Sequence, residues 1–231
     1  MKITAIYGTN HVGSTVELAR ALIGRLPHTQ DELSEFFLPR DFGHVCNGCC
    51  ACFEAAAPLC VQAGDQLQPI LQAIDAADVI ILASPVYVYH VTGAMKSFLD
   101  HLGCRWLIHR PNGSMTGKTA VLLTTAAGSG TKQTLGDLKD SMNWWGVGHV
   151  YAYGRRVQAL HPQQVKPKIK SAIEQDMGKL ARRILSARRS KPRIGVRARY
   201  WLSKRMGGGL TPRDHAYWQE QGWLKGKLPW K

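Results

Sequence analysis

Apolar residues follow two different periodicities along the first two thirds of the chain. Short apolar runs that end at a turn predict buried strands, and apolar residues spaced three and four positions apart predict helices. The first run, Ile3–Tyr7, predicts a strand, and a helical pattern begins beyond Ser14 and continues to Ile23. The continuous β-branched run over residues 78–84 predicts a central strand that is covered on both faces.

The same alternation continues to the end of the first 185 residues. Further strands are predicted at residues 32–39, 118–125 and 147–153, and further helices at 65–76, 91–102, 131–144 and 165–185. Strands that alternate with helices at this interval predict a parallel, doubly wound α/β sheet with right-handed crossovers. Ligands of such sheets bind outside the carboxyl ends of the strands.

The composition changes near residue 186, which divides the chain into a predicted domain, 1–185, and a basic, tryptophan-rich extension, 186–231. Residues 186–193 are polar and basic and suit a linker. Residues 194–206 predict a basic amphipathic helix with Ile194, Trp201 and Leu202 on one face. Helices of this kind lie on anionic membrane surfaces.

Charge is divided unevenly between the two parts. The net charge is +14, yet residues 1–150 hold 10 Lys and Arg against 12 Asp and Glu, while residues 151–231 hold 20 against 4. An acidic partner would therefore meet the last third of the chain. The aromatic residues of the ending 214–223 could instead pack on the domain, over the cofactor or against a second copy. No nucleic-acid motif is present, so nucleic acid is the least supported partner.

The length of 231 residues suits one α/β domain with a C-terminal extension, and no signal-peptide pattern is seen at the start. The first residues already form a strand, and no apolar stretch reaches membrane-spanning length. We therefore expect a cytoplasmic protein, in which six cysteines serve as thiols or ligands more readily than as disulfides.

The turn between the first strand and helix has the chemistry of an anion site. Thr9, Asn10, Ser14 and Thr15 supply hydroxyl and amide groups, and the start of the helix supplies unpaired N–H groups. The glycine spacing resembles the nucleotide loop GxxxxGK[ST], but Ser14 replaces the lysine, which suits one phosphate monoester. An ordinary turn with a capping serine is the alternative.

Two further loops follow the third and fourth strands and converge on the same edge of the sheet. Residues 84–90 offer the ring faces of Tyr87 and Tyr89, and residues 125–130 offer a glycine-rich backbone that can lie against a flat ring. A flat heteroaromatic ring system that carries one phosphate suits all three loops. FMN is such a ligand.

The motifs GTNHVGST, SPVYVYHVTGAMKSFLDH and TTAAGSG resemble, in that order, the flavodoxin-like superfamily, in its branch of NAD(P)H-dependent FMN reductases and iron–sulfur flavoproteins. The resemblance covers about residues 1–155 and implies a five-stranded parallel sheet in the order 2-1-3-4-5, with FMN as cofactor. The FMN-binding residues that it implies are Thr9, Asn10, Ser14, Thr15, Ser84, Pro85, Val86, Tyr87, Val88, Thr125, Ala127 and Gly128.

The chain departs from the family pattern in the first loop, where His11 stands in place of a basic residue. Lys96 and Asp100 match the K-x-x-x-D helix of the family. Their spacing predicts a structural ion pair on one helix face.

Cysteines are concentrated between the second strand and the helix that begins near residue 65. The spacing Cys46-x2-Cys49-x2-Cys52-x7-Cys60 resembles the compact motif of iron–sulfur flavoproteins, which implies a [4Fe–4S] cluster that passes electrons to FMN. The same sulfurs could hold a tetrahedral zinc ion or remain free thiols. Cys50 offers competing ligation. Cys104, near a helix end, is predicted to be a packed thiol.

Taken together, the resemblance implies an FMN-dependent oxidoreductase that receives hydride from NAD(P)H and passes electrons to a quinone, a free flavin or a carrier protein. The cofactor performs the chemistry, so binding residues matter most, and Tyr87, Tyr89 and His90 are nearest to the ring or second substrate. The alternatives are an electron-transfer protein that uses the cysteines, and a membrane- or partner-binding module. Relatives of this fold commonly form homo-oligomers.

Overall fold

The computed structural model describes residues 1–186 and 192–230 and contains the predicted sheet. All strand pairs are parallel and the order is β2-β1-β3-β4-β5, which confirms the predicted topology. The strands are β1 Ile3–Tyr7, β2 Leu33–Phe37, β3 Val79–Ala83, β4 Thr119–Ala126 and β5 His149–Arg156.

Helices cover both faces of the sheet. Their bounds are α1 Ser14–Ile23, α2 Ala51–Glu54, α3 Gly64–Ala76, α4 Gly93–Asp100, α5 Thr131–Trp144, α6 Pro167–Ser186, α7 Ile194–Arg205 and α8 Pro212–Glu220. The predicted helix 91–102 begins later because Thr92 is its N-cap, and the Thr92 side chain accepts a hydrogen bond from the Met95 N–H at 3.1 Å. Lys96 and Asp100 form the predicted ion pair on α4.

Two apolar cores lie on opposite faces of the sheet. One core joins the sheet to α3, α4 and α5, and the other joins it to α1 and α6. Every residue of β3 is buried, as the continuous apolar run predicted. Since both faces are covered, the polar side chains that can meet a ligand are concentrated where the strands end.

Sequence reasoning missed two short helices, α2 within the cysteine segment and α8 near the C terminus. The proposed linker 186–193 lies mostly outside the described residues, because residues 187–191 are not described. The basic helix predicted at residues 194–206 is present as α7. None of the described helices is long and apolar enough to cross a membrane.

The C-terminal extension packs against the domain through an aromatic cluster. Tyr200, Trp218 and Trp223 are buried together, and the Tyr200 and Trp218 rings stack with centroids 5.3 Å apart. Trp218 Nε1 donates a hydrogen bond to the His109 carbonyl at 2.7 Å. The Tyr217 hydroxyl donates to the Pro111 carbonyl at 2.6 Å. This docking agrees with the interpretation that the aromatic ending packs on the domain.

Candidate functional site

One cleft of about 220 Å³ opens where the parallel strands end. We call it the strand-end cleft. Loops after β1, β3 and β4 form three of its walls, as the sequence predicted, and the segment after β5 forms the fourth. The residues that line it are Thr9, His11, Gly13, Ser14, Thr15, Pro85, Val86, Tyr87, Thr125, Ala126, Ala127, Val157, Ala159 and Leu160.

Helix α1 begins in this cleft without a side-chain cap. Gly13 is the N-cap residue and Ser14 is the first helical residue, so the alternative of a serine cap is wrong. The first backbone N–H groups of an α-helix have no partner within the helix and carry a partial positive charge. An uncapped helix start beside the hydroxyls of Ser14 and Thr15 therefore suits a phosphate group.

Buried threonines connect the first loop to the loop after β4. The hydroxyls of Thr15 and Thr125 share a hydrogen bond of 2.6 Å, and both residues are buried. The Val86 N–H donates to the Thr125 carbonyl at 3.0 Å. Thr125 thus touches both neighbouring walls of the cleft and fixes their separation.

The loop after β3 is a tight hairpin. Tyr87 and His90 exchange backbone hydrogen bonds of 3.0 and 3.1 Å across a turn whose central residues, Val88 and Tyr89, have φ values of +47° and +69°. Two successive non-glycine residues in the left-handed region store strain that surrounding contacts must hold. His90 Nδ1 lies 3.0 Å from Asp137 Oδ2 of α5, which fixes the base of the hairpin.

Gly130 allows this hairpin to lie against the next loop. Its φ is +97°, and a Cβ atom at this position would lie 2.6 Å from Val86 Cγ1. A side chain here would clash with Val86 and with the backbone and ring of Tyr89. The hairpin is therefore held in position before any ligand binds.

The structure separates the predicted binding residues into two groups. Those that line the cleft are Thr9, Ser14, Thr15, Pro85, Val86, Tyr87, Thr125 and Ala127. Asn10 and Gly128 are exposed outside the lining, and the Val88 side chain is 92% exposed. The Ser84 side chain is fully buried, and its hydroxyl accepts the Thr92 N–H at 3.1 Å and donates to the Pro85 carbonyl.

Six lining residues are absent from the predicted FMN-binding set, although three of them, His11, Gly13 and Ala126, lie in loops that were predicted to form the site. His11 Nδ1 lies 2.7 Å from Thr9 Oγ1, which orients the Thr9 hydroxyl within the first loop. The ladder between β4 and β5 continues beyond the predicted end of β5, and the Val157 N–H donates to the Ala126 carbonyl at 2.8 Å. Ligands of parallel sheets bind at the carboxyl ends of the strands. Because β5 ends at Arg156, the residues that follow it, Val157, Ala159 and Leu160, could have been predicted to line the site.

The cysteines meet in a second, smaller cavity of about 70 Å³, which we call the cysteine pocket. Its sulfur-bearing residues are Cys46, Cys49, Cys50, Cys52 and Cys60. All six cysteines of the chain are free thiols. Within the part of the chain that the structure describes, no three Cys, His, Asp or Glu side chains are arranged to hold a metal ion. The donor set is nevertheless that of an iron–sulfur or zinc site.

Cys104 adds a sixth sulfur beside this pocket. It is buried, as predicted for a packed thiol, and it is hydrogen-bonded to Cys52. This hydrogen bond lowers the pKa of the Cys52 thiol to about 6, and the nearby positive charge of Arg110 favours the thiolate further. The pKa of Cys104 is raised by the same hydrogen bond and by burial. Cys52 is therefore the more reactive thiol of the pair.

Arg110 holds the helix that carries Cys52. The Arg110 guanidinium is almost fully buried and donates to the carbonyls of Cys52, Phe53 and Ala55 at 2.5, 3.2 and 2.7 Å. These carbonyls belong to the end of α2, where backbone acceptors lack helical partners. Arg110 thereby caps α2 and fixes the floor of the cysteine pocket.

Asp214, in the C-terminal extension, partners Arg110. Its Oδ1 lies 3.4 Å from Arg110 Nε, and its Oδ2 accepts from His109 Nδ1 at 2.9 Å and from the Thr211 N–H at 3.1 Å. Burial alone would raise the pKa of Asp214, but the hydrogen bond and charge of His109 outweigh it and hold the pKa below its ordinary value. The aromatic ending thus connects to the cysteine pocket and does not line the strand-end cleft.

Comparison with known proteins identifies relatives of this fold. The family model of the NADPH-dependent FMN reductases matches residues 1–155. An iron-sulfur flavoprotein of Archaeoglobus fulgidus is 26% identical over 97% of this chain and 100% of its own length. An FMN-dependent NADH:quinone oxidoreductase of Burkholderia pseudomallei is 27% identical over 55% of this chain, which corresponds to 61% of that protein.

Solved structures show the same fold at lower identity. An FMN-dependent NADH-azoreductase from Bacillus anthracis, in complex with FMN, superposes with a TM-score of 0.59 at 13% identity, over 78% of this chain and all of that one. A NADH:FMN oxidoreductase in its apo form gives a TM-score of 0.54 at 23% identity, over 84% and 95% of the two chains. With its flavodoxin-like sheet and a family match over two thirds of its length, the chain belongs to the NADPH-dependent FMN reductase family of oxidoreductases.

Proposed function

We propose that this chain binds FMN in the strand-end cleft and works as an NAD(P)H-dependent FMN oxidoreductase. The observation that carries the proposal is the meeting, in one cleft, of an uncapped helix start, a buried threonine junction and an aromatic hairpin. When bound, FMN supplies the hydride acceptor and passes electrons onward. The chain supplies the phosphate site and the ring site.

The phosphate end is formed by the first loop. Thr9, Ser14 and Thr15 offer hydroxyl groups, and the first turn of α1 offers backbone N–H groups. Among the described residues, none that lines the cleft is a lysine or an arginine. Hydrogen bonds and the partial charge of the helix start would therefore hold the phosphate, with the His11 side chain in the same loop.

The ring end is formed by the loops after β3 and β4 and by the segment after β5. Pro85, Val86 and Val157 give apolar walls, and Tyr87 presents a half-exposed ring. Ala127 leaves its backbone open to a flat ligand. Because no described residue of the lining carries a carboxylate or ammonium group, the lining serves binding and orientation and supplies no general acid or base of that kind.

Two kinds of electron acceptor can be proposed. A small acceptor such as a quinone agrees with the activity of the Burkholderia relative, which is an FMN-dependent NADH:quinone oxidoreductase. An electron-transfer role is the second candidate, because the four cysteines of the predicted motif all line the cysteine pocket and the Archaeoglobus relative is an iron-sulfur flavoprotein. In that role Cys46, Cys49, Cys52 and Cys60 would be the ligands.

The division into domain and extension is part of the same proposal. Residues 1–185 would form the FMN-binding domain, and residues 186–231 would add the aromatic support of the cysteine pocket. Self-association, as in related folds, and a cytoplasmic location remain predictions. A binding module that uses no flavin is the contrasting alternative.

Reconstitution under anaerobic conditions tests the function. Apoprotein is incubated with FMN, freed of excess flavin, and mixed with NADH or NADPH while the flavin absorption is followed. We expect stoichiometric FMN retention and bleaching of the flavin bands by reduced nicotinamide. A protein that retains no FMN would contradict the site. Retained FMN that is not bleached would contradict the reductase activity and favour the electron-transfer candidate.

Iron and zinc are measured on the same samples after anaerobic purification. A broad absorption beneath the flavin bands together with bound iron would identify the cysteines as cluster ligands. Bound zinc without iron would identify a zinc site. Flavin bands without either metal would leave the cysteines as thiols.

A further inference from the structure

Helix α7 turns a row of large apolar side chains toward solvent. We call this row, with the neighbouring Leu210, the α7 outer face. Its residues and their exposed fractions are Ile194 81%, Trp201 48%, Leu202 55%, Met206 46% and Leu210 60%. Five large apolar side chains exposed along one helix and the residues that follow it suit a site of interaction.

The opposite side of α7 is fixed to the protein. Val196, Tyr200 and Ser203 are buried, and Tyr200 packs in the aromatic cluster with Trp218 and Trp223. At the start of the helix, Arg193 Nη2 donates to Asn143 Oδ1 of α5 at 2.9 Å. The α7 outer face is therefore held toward solvent by an anchored helix.

The sequence on either side of α7 carries charge of a single sign. Residues 177–213 contain 12 lysines and arginines and no aspartate or glutamate. Arg197 and Arg205 are exposed on α7, and Lys204 Nζ lies 5.3 Å from the centroid of the Trp201 ring. Apolar and cationic side chains thus occur together on the exposed part of α7, and an anionic lipid interface binds both kinds of side chain.

We propose that the α7 outer face docks the protein on an anionic lipid bilayer, with the helix parallel to the surface. Ile194, Trp201 and Leu202 would enter the boundary between headgroups and acyl chains, while the arginines meet the lipid phosphates. A lipid surface accounts for both halves of the pattern, because it offers an apolar layer directly beneath an anionic one.

Other partners account for only half of the pattern. A nucleic acid would use the cations but leave exposed Ile194 and Leu210 without apolar contact. A second copy of the same face would bring two surfaces of positive charge together without an acidic residue between 177 and 213 to relieve the repulsion. The charge therefore favours a bilayer over self-association through α7.

Docking would place the enzyme beside acceptors that dissolve in lipid, such as quinones. This consequence rests on the reductase function proposed above. The docking itself does not, because the lining of the strand-end cleft contains no residue of α7.

Co-sedimentation with vesicles tests the proposal on the full-length, flavin-loaded protein. Vesicles of phosphatidylcholine alone are compared with vesicles that also contain phosphatidylglycerol, at low and physiological salt. We expect binding to the anionic vesicles that weakens with salt, and little binding to the neutral ones. Absence of binding to anionic vesicles at either salt concentration would overturn the proposal.

Two sets of substitutions assign the binding to α7. We expect Trp201→Ser with Leu202→Ser, and separately Arg197→Glu with Arg205→Glu, to weaken vesicle binding at least about tenfold. Lys2→Glu with Lys139→Glu makes the same change in net charge at exposed positions elsewhere and should reduce binding far less. Equal losses in the two charge sets would show a general charge effect and overturn the assignment.

Controls separate docking from other outcomes. All variants should keep wild-type FMN content and an unchanged urea midpoint, since the altered side chains are exposed. Light scattering could instead give the mass of a dimer for wild type and of a monomer for the Trp201→Ser, Leu202→Ser variant. That result would overturn the proposal in favour of self-association. Salt-sensitive retention of duplex DNA without vesicle binding would overturn it in favour of nucleic acid.

Discussion

The strand-end cleft is assembled from residues that directly follow strands, whereas the cysteine pocket is held by residues that are distant in sequence. Thr9, Tyr87 and Ala127 reach the cleft because parallel strands end at one edge of the sheet. The floor of the cysteine pocket depends on Arg110, which is 55 to 58 residues from the carbonyls that it caps. Arg110 depends in turn on Asp214.

The two regions also differ in how charge is used. Within residues 1–186 and 192–230, no lysine, arginine or carboxylate lines the cleft, so a helix start and hydroxyl groups would receive an anion there. The cysteine pocket rests on an ion pair whose two side chains are almost fully buried. Loss of one partner of a buried pair leaves an unpaired charge in the interior. Substitutions in the cleft should therefore mainly weaken ligand binding, and substitutions around the pocket should mainly reduce the stability of the fold.

The largest effect is expected for Ser14→Glu in the cleft. A carboxylate within about 4 Å of a bound phosphate would repel it by several kcal/mol at the dielectric typical of a protein surface, which weakens FMN binding at least about 100-fold. Ser14→Ala should lose only one hydrogen bond and weaken binding a few-fold, about 1 kcal/mol. Fluorescence titration of apoprotein with FMN measures both. Equal affinity in wild type and Ser14→Glu would place the phosphate elsewhere.

Next in size is Asp214→Asn, which should destabilise the fold by about 3–5 kcal/mol because Arg110 loses its buried counter-charge. Urea unfolding measures this loss. Glu174→Gln, which breaks the exposed pair with Arg25, is the control and should cost about 0–1 kcal/mol. Similar midpoints for the two variants would show that the buried pair is dispensable.

The same carboxylate predicts a sensitivity to acid. The folded-state pKa of Asp214 lies below the ordinary value of about 3.9, so its stabilisation is complete above that pH and is lost as the pH falls through the folded-state pKa. As the pH falls below about 3.9, the difference in free energy of unfolding between wild type and Asp214→Asn should decrease. A difference that stays constant down to full acid unfolding would contradict the depressed pKa.

A smaller effect is expected at the junction of the cleft. Thr125→Val removes one hydroxyl and leaves the Thr15 hydroxyl buried without its partner, which should cost about 1–3 kcal/mol of stability. Thermal unfolding measures the cost. Thr15→Val in the same chain should recover part of it, because no unpaired hydroxyl then remains. Strictly additive losses would show that the two hydroxyls do not interact.

The smallest effect concerns the reactivity of one thiol. Alkylation of Cys52, followed by mass spectrometry of the metal-free protein, should rise with pH around a midpoint near 6, since the thiolate is the reacting form. Cys104→Ala removes the hydrogen bond and should move the midpoint toward the ordinary thiol value of about 8.5. A midpoint that does not change in this variant would exclude Cys104 as the cause.

Much of the fold and part of the cleft could be predicted from the sequence because both follow from local patterns. The apolar run of β3 and the turns after β1 and β4 indicate buried parallel strands and the edge at which a ligand binds. The wall after β5 was missed because the strand continues to Arg156, beyond the predicted end.

Residue type alone did not show which loop residues face the cleft. Val88 and Ser84 lie in the predicted loop, but the left-handed turn directs Val88 to solvent, and the Thr92 N–H binds the hydroxyl of Ser84. The connection from Asp214 to Arg110 could not be predicted either. This contact joins residues about a hundred positions apart, and neither hydrophobic periodicity nor a local motif predicts contacts of that kind.

Hydrogen–deuterium exchange of the apoprotein, with and without FMN, tests the central claim most directly because it locates the bound ligand in the chain. We predict that FMN protects residues 9–16, 85–90, 125–131 and 157–160, which supply the walls of the strand-end cleft, while residues 46–60 of the cysteine pocket change little. Protection confined to residues 46–60, or absent from residues 9–16, would contradict the assignment of the strand-end cleft as the FMN site.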